Sequence, residues 1–213
     1  MYAVIKFLVR LAFRIAFNLH YEGKKNIPKG ESVIFTANHR TNADPPLVGV
    51  GARGTHTFMA KEELFEKKLF AWLIRSLGAF PVSRGKGDTA VIDKSVENLN
   101  SGKNLMIFPE GTRSKDGKVH RGHTGAALIS ALSGKRIVPV GIVFGEKLKF
   151  RTRVTVKYGE PIDPKEYVDS QEEPDRRQLV KLKNRYMDDI KRLVEGEPDT
   201  AADAPAEEEK ADE

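Results

Sequence analysis

The sequence predicts an α/β protein in which a mixed central sheet is flanked by helices. From Glu31 onward, short apolar runs alternate with longer amphipathic segments, and this alternation is typical of strands and helices that follow one another along the chain. The chain has 213 residues, of which 39% are hydrophobic, so it can bury one substantial core. We expect one folded domain over residues 22–194, preceded by a helix over residues 1–21 and followed by a tail over residues 195–213.

Each predicted element rests on its hydrophobic pattern and on the residues that begin or end it. Short apolar runs predict the strands Ser32–Ala37, Thr55–Ala60, Ala79–Val82, Asn104–Phe108, Arg136–Phe144 and Arg153–Tyr158. Amphipathic segments predict the helices Tyr2–Leu19, Pro45–Ala52, Leu64–Leu77, Asp88–Leu99, Gly125–Leu132 and Pro174–Val194. Two prolines favour the start of the second helix, since proline is tolerated in the first turn.

The N-terminal segment is apolar but carries three cations at steps of four residues, Lys6, Arg10 and Arg14. This spacing places the cations on one helical face. The opposite face includes Val4, Phe7, Leu11 and Ile15. Such a helix suits the headgroup level of a membrane better than a bilayer span or a signal peptide. It could also pack on its own domain, and the two placements can coexist.

The formal net charge of +6 conceals an uneven distribution. Residues 195–213 contain nine acidic residues and one lysine, which leaves a net charge of +14 for residues 1–194. A body this basic attracts anionic partners, while the acidic tail has almost nothing to bury and is predicted to be disordered. The chain has no cysteine, which excludes disulfides and a cysteine nucleophile.

Four polar clusters stand at the ends of predicted strands, where an α/β sheet presents its functional groups. The clusters are Asn38–Asp44, Gly78–Arg84, Phe108–Ser114 and Val138–Gly141. Their convergence at one edge of the sheet would form an active site.

In the first cluster, His39 precedes Asp44 by five residues. On a continuous helix this step leaves the two side chains on different faces, so they can meet only if residues 40–43 form a turn. An imidazole that a carboxylate orients through one nitrogen can accept a proton at the other, near neutral pH. The alternative is that His39 is a structural turn residue and Asp44 only a helix cap.

The third cluster combines Glu110, Gly111 and Arg113, and Arg84 lies in the second. Arginine binds phosphate through paired hydrogen bonds, and a glycine lets backbone N–H groups approach the ligand. The alternative is an ordinary basic surface turn.

Several apparent motifs do not predict function. Residues 49–54 match a dinucleotide-binding pattern, but prolines precede them where a buried strand is required. No Walker loop and no serine nucleophile elbow is present. His120 and His123 lack further ligands nearby in the sequence, so we predict no metal site.

The four clusters together resemble the glycerolipid acyltransferase family. The resemblance covers residues 22–162 and rests on the blocks N-H-x-x-x-x-D, G-x-F-x-V-x-R, F-P-E-G-T-R-S and V-P-V. It implies that His39 is a general base supported by Asp44, and that the acceptor's phosphate is held by Arg84, Glu110, Gly111 and Arg113. It also implies an oxyanion contact from Lys61 and an acyl-side surface formed by Val138, Pro139 and Val140.

The resemblance implies transfer of a fatty acyl chain from acyl-CoA or acyl carrier protein to the sn-2 hydroxyl of 1-acylglycerol-3-phosphate, giving phosphatidic acid. No cofactor or nucleic acid is expected, and the location implied is peripheral or monotopic on the cytoplasmic face of a membrane. Many relatives carry Phe-Lys where this chain has Gly122-His123. The acceptor therefore stays open among this lysophospholipid, another one, glycerol-3-phosphate and a glycolipid. A non-catalytic module that binds anionic lipid or nucleic acid is the remaining alternative.

Overall fold

Seven strands form one sheet in the computed structural model, which describes residues 2–82 and 89–196. The strands are β1 (Asn18–Glu22), β2 (Ile34–Ala37), β3 (His56–Lys61), β4 (Ala79–Val82), β5 (Asn104–Ile107), β6 (Ile137–Val143) and β7 (Arg153–Tyr158). Their order across the sheet is β1-β7-β6-β2-β5-β3-β4. The mixed α/β class predicted from the sequence is confirmed.

Five neighbouring strands, β6, β2, β5, β3 and β4, run in the same direction. Strand β7 pairs with β6 in the antiparallel sense and β1 lies parallel to β7, so these two run the opposite way. In the centre, Thr36 of β2 is in register with Ile107 of β5 and with Pro139 of β6. The carboxyl ends of five strands therefore meet at one edge of the sheet, which we call the carboxyl edge.

Six helices cover the two faces of the sheet among the described residues. They are α1 (Tyr2–Ala16), α2 (Asp44–Gly51), α3 (Lys68–Ser76), α4 (Thr89–Asn100), α5 (Gly125–Ser133) and α6 (Arg176–Glu195). Helices α4, α5 and α6 pack on the face that carries Ile34, whereas α2 packs on the face that carries Phe35. Successive strand residues point to opposite faces, so β2 supplies both halves of the core.

Helices α1 and α3 lie on the same face as α2. Phe13 of α1 packs against the α2 side of the core, and Phe58 of β3 contacts both that cluster and the smaller one that includes Ile74 of α3. One side of the domain is therefore covered by α1, α2 and α3, and the other by α4, α5 and α6.

The structure differs from the predicted elements mainly at the N-terminal side. Strand β1 begins at Asn18, so the sheet starts before the predicted boundary at residue 22, and α1 ends at Ala16. This short edge strand pairs on one side only, with β7, and its sequence has no strong apolar run. The predicted helix Leu64–Leu77 is divided into a 3-10 turn, Glu62–Phe65, and α3.

Helix α6 begins where the Asp175 carboxylate accepts hydrogen bonds from the backbone N–H groups of Arg177 and Gln178. It extends to Glu195, and the predicted disordered tail lies outside the described residues from position 197 onward. None of the helices in the described ranges is long and apolar enough to cross a bilayer.

Candidate active site

The loop after β2 is fixed by the side chain of Asn38. This buried amide donates to the carbonyl of Ile142 at 3.0 Å and accepts from the backbone N–H of Ile142 at 2.7 Å. Both contacts imitate backbone pairing, so Asn38 continues the connection between β2 and β6 after the strand has ended. The next residue, His39, is consequently presented at the carboxyl edge.

His39 and Asp44 are in contact, with 2.7 Å between His39 Nδ1 and Asp44 Oδ2. Residues 40–43 form the turn that this contact requires, since the N–H of Asp44 donates to the carbonyl of Thr41. The structure therefore brings the predicted pair together.

The Asp44 carboxylate is 0% exposed and is saturated with donors. Oδ2 also accepts from the N–H groups of Arg40 and Thr41 at 2.6 and 2.8 Å, and Oδ1 accepts from the Thr41 hydroxyl at 2.7 Å. Asp44 is the first residue of α2, where the helix dipole also favours a negative charge. These contacts fix the position of the carboxylate beside the imidazole.

The imidazole of His39 is held in its plane by Phe108, the residue after β5. The two rings stack at 4.2 Å with an angle of 25° between them. Because Asp44 is an acceptor, it selects the tautomer with the proton on Nδ1. The side chain of His39 is 19% exposed, and its Nε2 has no hydrogen-bond partner within residues 2–82 and 89–196. This nitrogen can accept a proton from a substrate hydroxyl.

Glu110 makes contacts that differ from the phosphate contact predicted for it. Its buried carboxylate accepts from the backbone N–H of His39 at 3.0 Å and from that of His120 at 3.1 Å. The N–H of Ser114 donates to the carbonyl of His39 at 2.7 Å. The loop after β5 therefore holds the backbone of the histidine on both sides, and the anionic Glu110 is engaged in this contact rather than directed at a phosphate.

Arg113 and Gly111 lie on the exposed part of the same loop. Arg113 donates from Nη1 to the Asn42 side-chain oxygen at 3.2 Å, which places its guanidinium beside the turn between His39 and Asp44. Gly111 has a φ of 68°, a left-handed conformation that glycine adopts without strain. Arg113 thus lies near the predicted base, and phosphate binding by Arg113 and Gly111 stays a prediction.

The remaining predicted substrate-contacting residues that the structure describes lie on β3 and β6. Lys61 is exposed at the end of β3, on the carboxyl edge. Val138, Pro139 and Val140 are buried within β6, and both valines pack in the core beside Phe35. They therefore support the sheet from inside and do not present a surface to an acyl chain. Arg84 lies outside the described residues.

The three predicted interfacial cations of α1 separate into two groups. Arg10 and Arg14 are exposed, but the Lys6 amine turns into the domain and donates to the carbonyls of Ala52 and Gly54, both at 2.9 Å. It also lies 3.2 Å from Nε2 of His56. Burial, with a contribution from Arg10, lowers the pKa of Lys6 to about 8. Lys6 therefore attaches α1 to the domain instead of facing headgroups.

His56, the first residue of β3, is a buried histidine that the sequence analysis did not single out. Burial, together with the nearby Lys6 ammonium, lowers the pKa of His56 to about 3. Its backbone N–H donates to the Tyr2 hydroxyl at 2.9 Å. The ring is therefore neutral and belongs to the contact between α1 and the domain, far along the strand from the carboxyl edge.

Within the described ranges, no group of three or more histidine, aspartate or glutamate side chains is arranged to hold a metal ion. His120, one of the two histidines considered for metal binding, instead lies 2.8 Å from the carboxylate of Asp116.

Sequence reasoning missed three residues that position the pair: Asn38, Thr41 and Phe108. Arg40 was also missed, and it secures the loop after β6 by donating to the carbonyls of Phe144 and Gly145 and by stacking on the Phe144 ring. All four lie inside or beside the recognised blocks, which was the available signal. Their roles depend on contacts with distant strands, and spacing alone does not reveal these.

The fold and the site together describe an α/β domain that carries a histidine–aspartate pair at the carboxyl edge of its sheet. Residues 18–143 match the family model described as Acyltransferase. The chain belongs to this acyltransferase family.

Relatives within the family carry specific names. The chain is 37% identical over 163 residues to a 1-acyl-sn-glycerol-3-phosphate acyltransferase of Streptococcus pneumoniae, covering 73% of this chain and 60% of the relative. It is 34% identical over 139 residues to a lyso-ornithine lipid O-acyltransferase of Pseudomonas aeruginosa, covering 64% and 52% of the two chains. The chain thus spans only part of the length of these relatives.

A solved structure has the same fold. The crystal structure of the 1-acyl-sn-glycerophosphate acyltransferase PlsC from Thermotoga maritima superposes with a TM-score of 0.74 and 29% sequence identity, covering 91% of this chain and 78% of the other. The seven-stranded mixed sheet with flanking helices is therefore the architecture of that acyltransferase.

Proposed function

We propose that this protein transfers a fatty acyl chain from a thioester to the sn-2 hydroxyl of 1-acylglycerol-3-phosphate, forming phosphatidic acid. The observation that carries the proposal is the 2.7 Å contact between His39 and a carboxylate that three other donors hold in place. Membership of the acyltransferase family and the names of its relatives support this choice of reaction.

His39 acts as the general base. Its Nε2 accepts the proton of the acceptor hydroxyl while the oxygen attacks the thioester carbonyl carbon. The tetrahedral intermediate collapses by breaking the carbon–sulfur bond, and the imidazolium returns its proton to the departing thiolate. Asp44 keeps Nδ1 protonated and stabilises the transient imidazolium, so the aspartate orients the base without exchanging a proton itself.

The thioester is already activated, so positioning and electrostatic stabilisation supply most of the remaining catalysis. We assign the acceptor's phosphate to Arg113 and to Arg84, with Gly111 allowing close approach of the backbone. Lys61 is assigned to the developing oxyanion. Glu110 contributes indirectly, because it holds the backbone from which His39 projects.

The acceptor is an amphiphile, and a membrane surface is the place where the enzyme meets it. Arg10 and Arg14 are exposed, and the apolar side chains of α1 that include Phe7 and Leu11 are exposed too. This combination suits a helix lying among anionic headgroups. The proposed location is peripheral or monotopic, on the cytoplasmic face where thioester donors are made. Acyl-CoA and acyl carrier protein are both acidic and both suit the basic body.

Product analysis tests the reaction. Purified protein would be given vesicles that contain 1-acylglycerol-3-phosphate, with acyl-CoA or acyl carrier protein thioester as donor, and lipids would be followed by mass spectrometry. Phosphatidic acid formed with either donor supports the proposal and identifies the donor. Thioester consumption without any acylated lipid would contradict it.

A second acceptor class is favoured by one specific observation, the 34% identity to an enzyme named for lyso-ornithine lipid. The same histidine chemistry would serve that acceptor, and the difference would lie in the headgroup contacts. Equimolar lysophosphatidic acid and lyso-ornithine lipid in one vesicle would decide between them, because the ratio of products equals the ratio of the two kcat/KM values.

A further inference from the structure

Large exposed apolar side chains are concentrated on two segments of the described chain. Of the twelve such side chains in the described ranges, five lie on α1 and five on the segment from Leu64 to Leu73. The second group consists of Leu64, Leu69, Phe70, Trp72 and Leu73. Single exposed apolar residues are ordinary on a protein surface, but a contiguous group of this size indicates an interaction surface.

Helix α3 has most of its large apolar side chains on the outside. It buries Ala71 and Ile74 against the sheet, whereas Leu69 is 81% exposed and Trp72 is 53% exposed. A helix that served only its own domain would bury its large side chains and expose polar ones. The outer face of α3 is therefore adapted to an environment other than water.

The charged side chains of α3 itself are all basic, whereas the segment before the helix also carries the exposed glutamates Glu62, Glu63 and Glu66. Lys67 and Lys68 lie at the start of α3 and Arg75 lies in its last turn, and all three are exposed. Because the helix Lys68–Ser76 contains no acidic residue, its own charge suits an anionic bilayer. Trp72 and Arg75 line a shallow groove together with Phe65 and Lys68, and the Arg75 guanidinium lies 5.1 Å from the Phe65 ring. Aromatic rings beside lysine and arginine are typical of segments at the headgroup level.

The position of α3 in the fold allows it to bind the same surface as α1. Both helices lie on the face of the sheet that α2 covers. A small apolar cavity is lined by Lys6 and Val9 of α1 and by Leu77, directly after α3, so the two helices come close to each other. Helix α3 follows β3 and therefore begins at the carboxyl edge, while α1 ends there, with its Ala16 carbonyl accepting from the N–H of Arg151.

We propose that α3 is a second membrane-binding helix, which places Leu69, Phe70 and Trp72 among the lipids of an anionic bilayer on the same side of the domain as α1. Two separated helices would define a plane, whereas α1 alone would leave the domain free to rotate about the helix axis. The bilayer contact would then hold the carboxyl edge, and His39 with it, at a fixed inclination to the lipid surface. This inference rests on the proposed function for the presence of a bilayer, but not for the chemistry.

The chain carries its own probe for the test, because Trp72 is its one tryptophan. Emission would be recorded with vesicles of phosphatidylcholine alone and of phosphatidylcholine with phosphatidylglycerol, and then with brominated lipids. We expect a shift to shorter wavelength and quenching on the anionic vesicles. Emission that stays at the aqueous wavelength, unquenched, while the protein sediments with the vesicles would overturn the proposal and leave α1 as the anchor.

Substitutions test whether the exposed apolar face of α3, and not another part of the protein, binds the vesicles. Leu69→Glu and Phe70→Glu should each weaken binding to anionic vesicles about tenfold, since one buried large apolar side chain is worth roughly that factor. The matched control is Val180→Glu on α6, an exposed apolar position on the opposite side of the sheet, which should have no effect. Circular dichroism would establish that each variant is folded.

Three further outcomes are decisive. Leu69→Glu should keep its turnover of a short-chain acceptor that is monomeric in water and lose turnover on vesicles. Insertion of Trp72 by a protein without any transferase activity would support α3 binding while refuting the proposed function. If the wild type instead self-associates without lipid, and Leu69→Glu makes it monomeric with unchanged vesicle binding, the surface joins two copies of the chain and the proposal fails.

Discussion

The carboxylate of Glu110 accepts a hydrogen bond from the backbone N–H of His39 at 3.0 Å. This contact joins the loop that carries the F-P-E-G-T-R-S block to the loop that carries the N-H-x-x-x-x-D block. The second carboxylate oxygen accepts from the N–H of His120, and Glu110 is buried. Two loops that are distant in sequence are therefore joined directly beneath the proposed base.

This contact predicts the kinetic consequence of changing Glu110. Glu110→Gln replaces one acceptor with a donor, so one buried N–H loses its partner at a cost of about 1–3 kcal/mol in the free energy of unfolding. Because His39 would be displaced, kcat should fall about tenfold or more while KM for the acceptor changes little. Steady-state kinetics and urea unfolding measure both effects.

Arg113→Ala is the matched comparison, since Arg113 lies on the same loop but is exposed. It should raise KM for a phosphate-bearing acceptor more than it lowers kcat, with an unchanged unfolding free energy. A Glu110→Gln enzyme that shows only a raised KM would mean that Glu110 contacts the substrate after all.

Thr41 is predicted to act through Asp44. Thr41→Val removes the hydroxyl that donates to Asp44 Oδ1 and should lower kcat roughly tenfold, because the carboxylate loses one of its charge-assisted hydrogen bonds. Thr41→Ser keeps the hydroxyl and should restore most of the activity. Equal losses in the two variants would assign the effect to packing of the methyl group and not to the hydrogen bond.

His56 is predicted to make stability depend on pH. Burial lowers its pKa to about 3 from an ordinary value of 6.5. Between these values the unfolded chain binds a proton that the folded chain does not, so the free energy of unfolding falls as pH decreases from about 6.5 towards 3. The slope from this residue approaches about 1.4 kcal/mol per pH unit.

Denaturant unfolding of wild type and His56→Phe at pH 7 and pH 5 measures this contribution. Phenylalanine keeps a ring in the position that now lies 5.8 Å from the ring of Phe35. Other groups titrate in both proteins, so the difference between them is the result that matters. The variant should lose less stability on acidification, and parallel curves would show that His56 is protonated or exposed in the folded state.

Lys6 and Arg10 are predicted to have separate roles although they share one helix. Lys6→Met removes the hydrogen bonds to Ala52 and Gly54 and should make α1 exchange its amide protons faster without changing the salt dependence of vesicle binding. Arg10→Met should weaken binding to anionic vesicles by about 1 kcal/mol at low salt and leave exchange unaffected. If Lys6→Met instead weakened vesicle binding and Arg10→Met accelerated amide exchange, these separate roles of the two residues would be contradicted.

Much of the fold could be predicted because most of its strands contain short apolar runs or alternate apolar with polar residues, and Ala79–Val82 and Arg153–Tyr158 were predicted with the observed bounds. The edge strand β1 could not, because its structure depends on pairing with β7 and not on its own composition. The His39–Asp44 contact was predicted on condition of a turn at residues 40–43, and that condition is met.

The roles of Glu110 and Lys6 could not be derived from the sequence. A glutamate in a basic loop and a lysine on a cationic helical stripe both favour binding to a ligand or a surface. Their actual partners include backbone groups of residues more than 40 positions away, His39 for Glu110 and Ala52 for Lys6. Local patterns carry no information about such partners.

The central claim is that His39, held by Asp44, removes the proton from the acceptor hydroxyl. It is tested most directly by release of free thiol from acyl-CoA or acyl carrier protein thioester, with vesicles containing 1-acylglycerol-3-phosphate, for wild type, His39→Ala and Asp44→Asn in parallel. We predict acceptor-dependent thiol release by the wild type and a loss of about 10²–10⁴-fold in kcat in both variants, each still folded and still bound to vesicles. Acceptor-dependent release by His39→Ala at the wild-type rate would contradict the account.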